Sequence, residues 1–144
     1  MYVDALLLFT PITDQDITAA AASTNYLDMS QARDLGVGQQ LYVVIVCTVA
    51  MTDGTSDSTL TVALYGDSTT TFTPDGFQTL VTIPALTAVG TKFVCPIAPE
   101  LTKYRYLELY FTPNTGNLTT GSFIAFITTN PQLNAVYPDA ITIS

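Results

Sequence analysis

The strongest constraint on the fold is the stretch LYVVIVCTVA at residues 41–50, in which Thr48 is the single polar side chain. Successive side chains of a strand point to opposite faces, so a strand with this sequence is apolar on both faces. The stretch is too short to cross a bilayer as a helix, which takes about 20 apolar residues. It therefore predicts a central strand, covered by a second sheet of the same domain or partly by another chain.

The composition favours one all-β domain with an unusually uncharged surface. The chain has 144 residues, enough for a single core, and it contains 25 threonines, eight tyrosines, no tryptophan and no histidine. Threonine, tyrosine, valine and phenylalanine favour strands. Only 11% of the residues are charged, against about a quarter in typical soluble domains. Much weakly polar surface is therefore available for contact with partners.

The charge balance excludes nucleic acid as the main ligand. The net charge is -8, and the four cations, Arg33, Lys92, Lys103 and Arg105, form no basic cluster of the kind that binds phosphates. No membrane segment is expected. Asp4 interrupts the apolar run at the N-terminus, which predicts that no secretory signal is present and that the protein is made in a reducing cytoplasm.

The two cysteines, Cys47 and Cys95, lie in apolar strand sequences. The favoured interpretation is two buried free thiols, and the alternative is a disulfide between them. A metal site is disfavoured because the chain has no histidine and no CxxC spacing.

The apolar rhythm predicts about eight strands and no sustained helix. Residues 2–9 form a strand or an N-terminal arm, residues 19–22 are extended rather than helical, and residues 30–38 form a helical turn. Residues 113–121 are interpreted as a hairpin connection. The remaining strands are predicted at residues 23–28, 41–50, 59–65, 77–83, 91–96, 104–112 and 122–129.

Eight antiparallel strands in a domain of this size predict a two-sheet antiparallel sandwich of the jelly-roll type. An immunoglobulin-like sandwich is the alternative, weakened by the absence of tryptophan. The predicted organisation is a sandwich domain at residues 1–130 followed by an extended C-terminal arm at residues 131–144.

No catalytic residue, cofactor or metal site is predicted. Without histidine, acid–base chemistry would fall to carboxylates, and only Glu108, between Tyr106 and Tyr110, suggests a glycosidase site on a strand. Two aspartate pairs in turns could offer oxygens to Ca²⁺, but neither matches the spacing of an EF-hand. These pairs are Asp14 with Asp16 and Asp53 with Asp57.

The function that remains is contact with other proteins. A tyrosine-bearing strand face and two apolar chain ends are surplus to a core that eight strands already supply, and extended arms commonly bind along a neighbour. The candidate contact residues are Tyr2, Leu6, Leu8, Tyr106, Tyr110, Leu133, Val136, Tyr137 and Pro138.

Five segments of the first half of the chain form one recognisable pattern: DALLLF at 4–9, STNYLD at 23–28, ARDLGVG at 32–38, LYVVIV at 41–46 and LTVAL at 60–64. In this pattern the chain resembles the capsid cement, or decoration, proteins of tailed bacteriophages. The resemblance implies a jelly roll on the exterior of the virion capsid, without catalytic residues. The implied partners are the major capsid protein and other copies of the chain, as a homodimer or, in the alternative, a trimer.

Two alternatives remain open. The first is a carbohydrate- or receptor-binding module of a phage fibre, which would use exposed tyrosines and the loops at residues 51–58 and 66–76. The second is a virion part of another kind, such as a head–tail or baseplate protein.

Overall fold

The computed structural model describes residues 8–29, 40–71 and 75–128. These residues form nine strands and a short 3-10 helix at Pro99–Lys103. The strands are β1 Gln15–Asp16, β2 Ala21–Ala22, β3 Leu27–Asp28, β4 Tyr42–Thr52, β5 Thr59–Asp67, β6 Gly76–Ile83, β7 Lys92–Pro96, β8 Tyr106–Asn114 and β9 Thr120–Thr128.

The strands form two antiparallel sheets packed face to face. Sheet I has the order β1-β9-β4-β7, and sheet II has the order β2-β8-β5-β6, with β3 also paired to β8. Because β2 and β3 follow one another along the same strand, β8, they share one position, and each sheet has four positions. This order of two interleaved four-position sheets is that of a jelly roll, so the predicted fold is confirmed.

Strand β4 lies inside sheet I, between β9 and β7, as the stretch at residues 41–50 predicts. Val43 and Ile45 point into the core between the sheets, whereas Val44 is buried on the opposite, outer face. There Val44 packs with Leu8 and Phe126 in a second, smaller cluster. Burial on both faces explains why this strand tolerates almost no polar side chain.

The main core fills the space between the two sheets. The rings of Phe111 from sheet II and Phe123 from sheet I stack with their centroids 6.4 Å apart. Both rings are fully buried, so this stack joins the two sheets through the centre of the sandwich. Other fully buried side chains of this core include Phe9, Ile17, Ile45, Met51, Leu60, Leu64, Ile83, Leu107 and Leu109.

The interpretation of residues 113–121 as a hairpin connection is wrong. Strand β8 belongs to sheet II and β9 to sheet I, so this connection crosses from one sheet to the other. Its backbone bonds to neighbouring segments instead: the N–H of Leu118 donates to the carbonyl of Thr18, and the N–H of Thr119 donates to that of Thr52, both at 2.8 Å. A turn sequence marks a reversal of direction but does not show which sheet the next strand joins.

The alanine-rich segment is extended, as predicted, and no helix forms at Ala21 or Ala22. The strand predicted at residues 23–28 is shorter than expected, and only Leu27–Asp28 pairs as a strand. Ser23 accounts for the interruption, because its hydroxyl accepts the N–H of Leu109 at 3.1 Å and donates to the carbonyl of Asn25 at 2.7 Å. A side chain thus takes the place of one backbone bond of the ladder.

Several predictions fall on residues outside the described ranges. These are the strand or arm at residues 2–7, the helical turn at residues 30–38 and the C-terminal arm at residues 131–144. The domain boundary at residue 130 likewise stays a prediction.

Both cysteines are buried free thiols, as the favoured interpretation states. Cys95 lies opposite Val43 on the neighbouring strand. Cys47 is four residues further along β4, which is about 13 Å at the rise of a strand. This separation exceeds the reach of a disulfide. Burial raises the pKa of the Cys95 thiol to about 11 and also raises that of Cys47.

Candidate functional site

The outer face of sheet II is rich in aromatic side chains. Along β8, Leu107 and Leu109 are buried in the core, whereas Tyr106, Glu108 and Tyr110 are only partly buried on the outer side. This division follows from the alternation of side chains in a strand.

The aromatic surface continues onto the next two strands. Tyr65 of β5 stacks against Tyr110, with centroids 5.4 Å apart and an angle of 13° between the rings. Tyr65 also meets its cross-strand partner Phe77 edge to face at 6.2 Å. On the other side of β8, the ring of Tyr26 contacts that of Tyr106 at 5.7 Å. We call this surface the tyrosine face, which comprises Tyr26, Tyr65, Phe77, Tyr106, Glu108 and Tyr110.

The outermost rings of the tyrosine face are open to solvent. Phe77 is 67% exposed and Tyr26 is 47% exposed. Scattered exposed apolar side chains are ordinary, but here the rings form two contacting groups, Phe77–Tyr65–Tyr110 and Tyr26–Tyr106. Tyr106 and Tyr110 place both groups on one face of β8, which makes an aromatic patch. Such patches commonly mark a surface that a partner covers.

Glu108 lies in the middle of the tyrosine face without a counter-charge. Its cross-strand partner is Tyr65, and its neighbours on the same face of β8 are Tyr106 and Tyr110. Desolvation by these surroundings raises the pKa of the Glu108 carboxyl. Within the described part of the chain, no hydrogen bond or ion pair compensates this carboxylate.

A second carboxylate, Asp67, lies next to the same surface. Asp67 ends β5 opposite Tyr106 and is 2% exposed. One of its oxygens accepts the backbone N–H of Thr69 at 2.9 Å, whereas its Oδ2 has no partner among the residues that the structure describes. A buried carboxylate oxygen without a partner adds negative potential at this end of the face.

One cation is already bound at the edge of the tyrosine face. Arg105 forms two hydrogen bonds with the carboxylate of Asp28, at 2.9 and 3.1 Å. Its guanidinium carbon lies 4.9 Å from the centroid of Tyr106, within the range of a cation–π contact. The side chains of this ion pair are each 42% exposed.

The opposite end of the same face is neutral and polar. The amide of Asn114 donates to the hydroxyls of Thr59 at 3.0 Å and Thr61 at 2.9 Å. Threonine therefore keeps this part of the sheet hydrated without charge, in agreement with the composition. The aromatic and acidic groups are confined to the other end of the sheet.

The outer face of sheet I is mainly apolar, with Lys92 of β7 opposite Val46 at its border. Val94, Val44 and Phe126 are consecutive cross-strand partners on β7, β4 and β9, and Leu8 bridges to Phe126. Ile124 and Val46 extend the cluster and are partly buried. We call this surface the valine face, which comprises Leu8, Val44, Val46, Val94, Ile124 and Phe126. Val94, at 41% exposed, is its most open described member.

The predicted contact residues that the structure describes lie in different environments. Tyr106 and Tyr110 lie together on the tyrosine face, whereas Leu8 is buried within the chain against Val44 and Phe126. The remaining ones stay predictions because they lie outside the described residues: Tyr2, Leu6, Leu133, Val136, Tyr137 and Pro138.

The aspartates singled out as possible calcium ligands act as turn and hydrogen-bonding residues. Asp53 accepts hydrogen bonds from the backbone N–H groups of Thr55 and Asp57. Desolvation is the largest single influence and raises the pKa of Asp53, but the hydroxyl of Thr55 and the backbone N–H groups that donate to the carboxylate together lower it. Asp14 accepts the hydroxyl of Thr48 and Asp16 that of Ser122. In the described ranges, no group of three or more potential ligands could hold a metal ion.

Sequence reasoning missed three members of the tyrosine face, Tyr26, Tyr65 and Phe77. Alternation along β5 shows that Tyr65 points away from the core, but alternation along β6 groups Phe77 with the buried Ile83. Phe77 lies on the outer face, opposite Tyr65, only because the pairing of β5 with β6 is irregular. A shift in this register occurs between Val62 and Ala63, and no sequence pattern marks it.

The comparison with family models covers nearly all of the sandwich. A model described as Bbp16 matches residues 12–127, from just before β1 to the penultimate residue of β9. The chain belongs to the Bbp16 family. No curated protein matches this member of the Bbp16 family.

A solved structure with a related shape is titled "Structure of infectious bursal disease virus Gx strain". Its TM-score with the Bbp16-family chain is 0.47 and the identity is 10%. The match covers 88% of this chain but 32% of the viral chain, so the protein spans about a third of that chain's length. Across the ranges that the structure describes, no helix is both long and apolar enough to cross a membrane.

Proposed function

We propose that the protein is a virion structural protein that binds the outer surface of a tailed-phage capsid and cements neighbouring major capsid protein subunits. The observation that carries this proposal is that both outer surfaces of the jelly roll expose apolar or aromatic side chains, Phe77 and Tyr26 on the tyrosine face and Val94 on the valine face. A domain with two such faces gains stability when other subunits cover them. The resemblance of the first half of the chain to capsid cement proteins supports the same function.

The two chain ends provide further contacts in this proposal. The N-terminal segment joins the sandwich at the valine face, where Leu8 bridges to Phe126 and the N–H of Phe9 donates to the carbonyl of Ala125 at 2.9 Å. Residues 2–7 and 131–144 contact capsid protein or the sister subunit of a homodimer, whereas Leu8 and Phe9 are buried in the chain itself. Each copy needs only a modest interface, because many copies on one shell act in parallel.

Removal of residues 131–144 tests the contribution of the C-terminal end. The matched control replaces the same residues with a glycine–serine segment of equal length, which keeps the length of the chain but removes the apolar side chains. Both variants are added to purified shells that lack the protein, and their occupancy and the thermal stability of the shells are measured. With either variant, we expect the occupancy and the thermal stability of the shells to be lower than with the native chain. Unchanged occupancy and unchanged shell stability would show that the C-terminal end is not a contact.

A carbohydrate- or receptor-binding module is the second candidate, favoured by the open rings of Phe77 and Tyr26. Sugars stack on exposed aromatic rings, and the tyrosine face offers several. A glycan array combined with co-sedimentation on capsid shells separates the two functions. Binding to a glycan without binding to shells would favour the second candidate.

A further inference from the structure

We propose that the tyrosine face binds an arginine side chain of a partner protein, which forms an ion pair with Glu108. This inference rests on the proposed function, because the partner is then a protein surface of the capsid. It adds the chemistry of the contact, which neither the fold nor the family membership specifies.

The chain itself contains the arrangement that the proposal completes. Arg105 lies over the ring of Tyr106 and binds the carboxylate of Asp28 with two hydrogen bonds. A planar guanidinium suits both contacts, because it stacks on an aromatic ring and forks onto a carboxylate. Glu108 lies two residues beyond Tyr106 on β8. It has Tyr106 and Tyr110 on either side and Tyr65 opposite, but no described residue supplies a cation to its carboxylate.

The charges around Glu108 favour a cation over a neutral ligand. Its carboxylate is partly desolvated, which raises its pKa, so an opposite charge would stabilise the ionised form. Asp67 lies two residues from Tyr65 on the same side of β5 and has a buried oxygen without a partner in the described part of the protein. The net charge of -8 also attracts a basic partner.

The described cations of the chain are engaged or placed elsewhere. Arg105 is paired with Asp28, and Lys103 lies over the ring of Tyr104 at 5.2 Å. Lys92 belongs to β7 in the other sheet. The fourth cation, Arg33, lies outside the described residues. The variant R33Q therefore tests whether Arg33 of the same chain pairs with Glu108.

The test compares E108Q with E100Q. Glu100 is the other glutamate of the chain, so both variants lose the same charge, and it is exposed on the 3-10 helix and is not a member of the tyrosine face. Binding to shells that lack the protein is measured at several salt concentrations. We expect E108Q to bind at least about 30-fold more weakly than the native chain, whereas E100Q binds within about twofold of it.

A second measurement uses the isolated protein and keeps the inference separable from the proposed function. A short arginine peptide and the same peptide with citrulline, which has no charge, are titrated while the NMR signals of the tyrosine face are followed. We expect the arginine peptide to shift these signals and to lower the pKa of Glu108, and the citrulline peptide to do neither. The shifts should be absent in E108Q.

The outcomes distinguish the two proposals. If the native chain and E108Q bind shells equally, the inference is wrong and the proposed function stands. If the native chain does not bind shells but binds the arginine peptide more tightly than the citrulline peptide, the proposed function is wrong and the inference stands. If R33Q raises the pKa of Glu108 in the isolated protein, Arg33 of the same chain is the occupant and the inference is overturned. Glycan binding that requires Glu108 would also overturn it.

Discussion

The ring of Tyr104 is held between two glycines, and this contact gives a sharp test of the packing. Gly66 and Gly76 are cross-strand partners on β5 and β6, and the ring lies against both. A Cβ added at Gly66 would lie 2.4 Å from Cδ2 and 2.9 Å from Cγ of Tyr104. Carbon atoms pack best at about 3.5–4.0 Å, so the overlap exceeds about 1 Å.

The ring cannot relieve this overlap by a small shift. The other end of the Tyr104 ring is held at Gly76, where an added Cβ would lie 2.9 Å from Cε2 and from the hydroxyl oxygen. The same hydroxyl donates a hydrogen bond to the carbonyl of Asp75 at 3.2 Å. We therefore expect G66A to lower the free energy of unfolding by about 1–3 kcal/mol, the usual cost of overpacking. Each kcal/mol corresponds to a fall in Tm of about 2–4 °C for a protein of this size.

Urea and thermal unfolding of four variants measure the effect. G54A is the control, because a Cβ at Gly54 meets nothing within 4 Å, and it should change the stability by less than about 0.5 kcal/mol. Replacing Tyr104 with alanine removes the ring atoms that the new Cβ would meet, so G66A combined with Y104A should lose less stability than the sum of the two single changes, with Y104A measured alongside. A G66A protein as stable as the native chain, or strictly additive changes, would refute the reasoning.

Three further predictions concern buried polar groups. Because desolvation raises the folded-state pKa of Glu108, the free energy of unfolding should fall as pH rises through that pKa, and urea titrations of E108Q should lack this fall. The thiol of Cys95, whose pKa is about 11, should resist alkylation at neutral pH until the protein unfolds, and rapid alkylation of the folded chain would contradict this. S23A removes the acceptor of the buried Leu109 N–H and should cost about 1–3 kcal/mol, whereas T24A at the exposed neighbouring position should cost little.

Much of the fold follows from the alternation of side chains. The stretch at residues 41–50 becomes the interior strand β4, because apolar residues on both of its faces require cover on both sides. Leu107 and Leu109 enter the core while Tyr106 and Tyr110 stay outside, as their spacing predicts. These features depend on local sequence, and the sequence was sufficient to predict them.

The features that the sequence did not reveal depend on pairing between distant segments. The hydroxyl of Ser23 replaces a ladder bond only because Leu109 lies beside it across 86 positions of the chain. The contact of Tyr65 with Phe77 requires the register of β5 and β6, including its shift after Val62. The position of Asp67 next to Tyr106 depends in the same way on the pairing of β5 with β8.

The chemistry of the two outer faces indicates which partner each one suits. In a dimer with two-fold symmetry, a surface meets its own copy and must complement itself. The open member of the valine face, Val94, is uncharged and can meet its own copy, whereas Val44 and Phe126 are already buried within the chain. The tyrosine face would bring Glu108 of one subunit towards Glu108 of the other, which costs energy. We therefore expect a sister subunit on the valine face and a basic capsid surface on the tyrosine face.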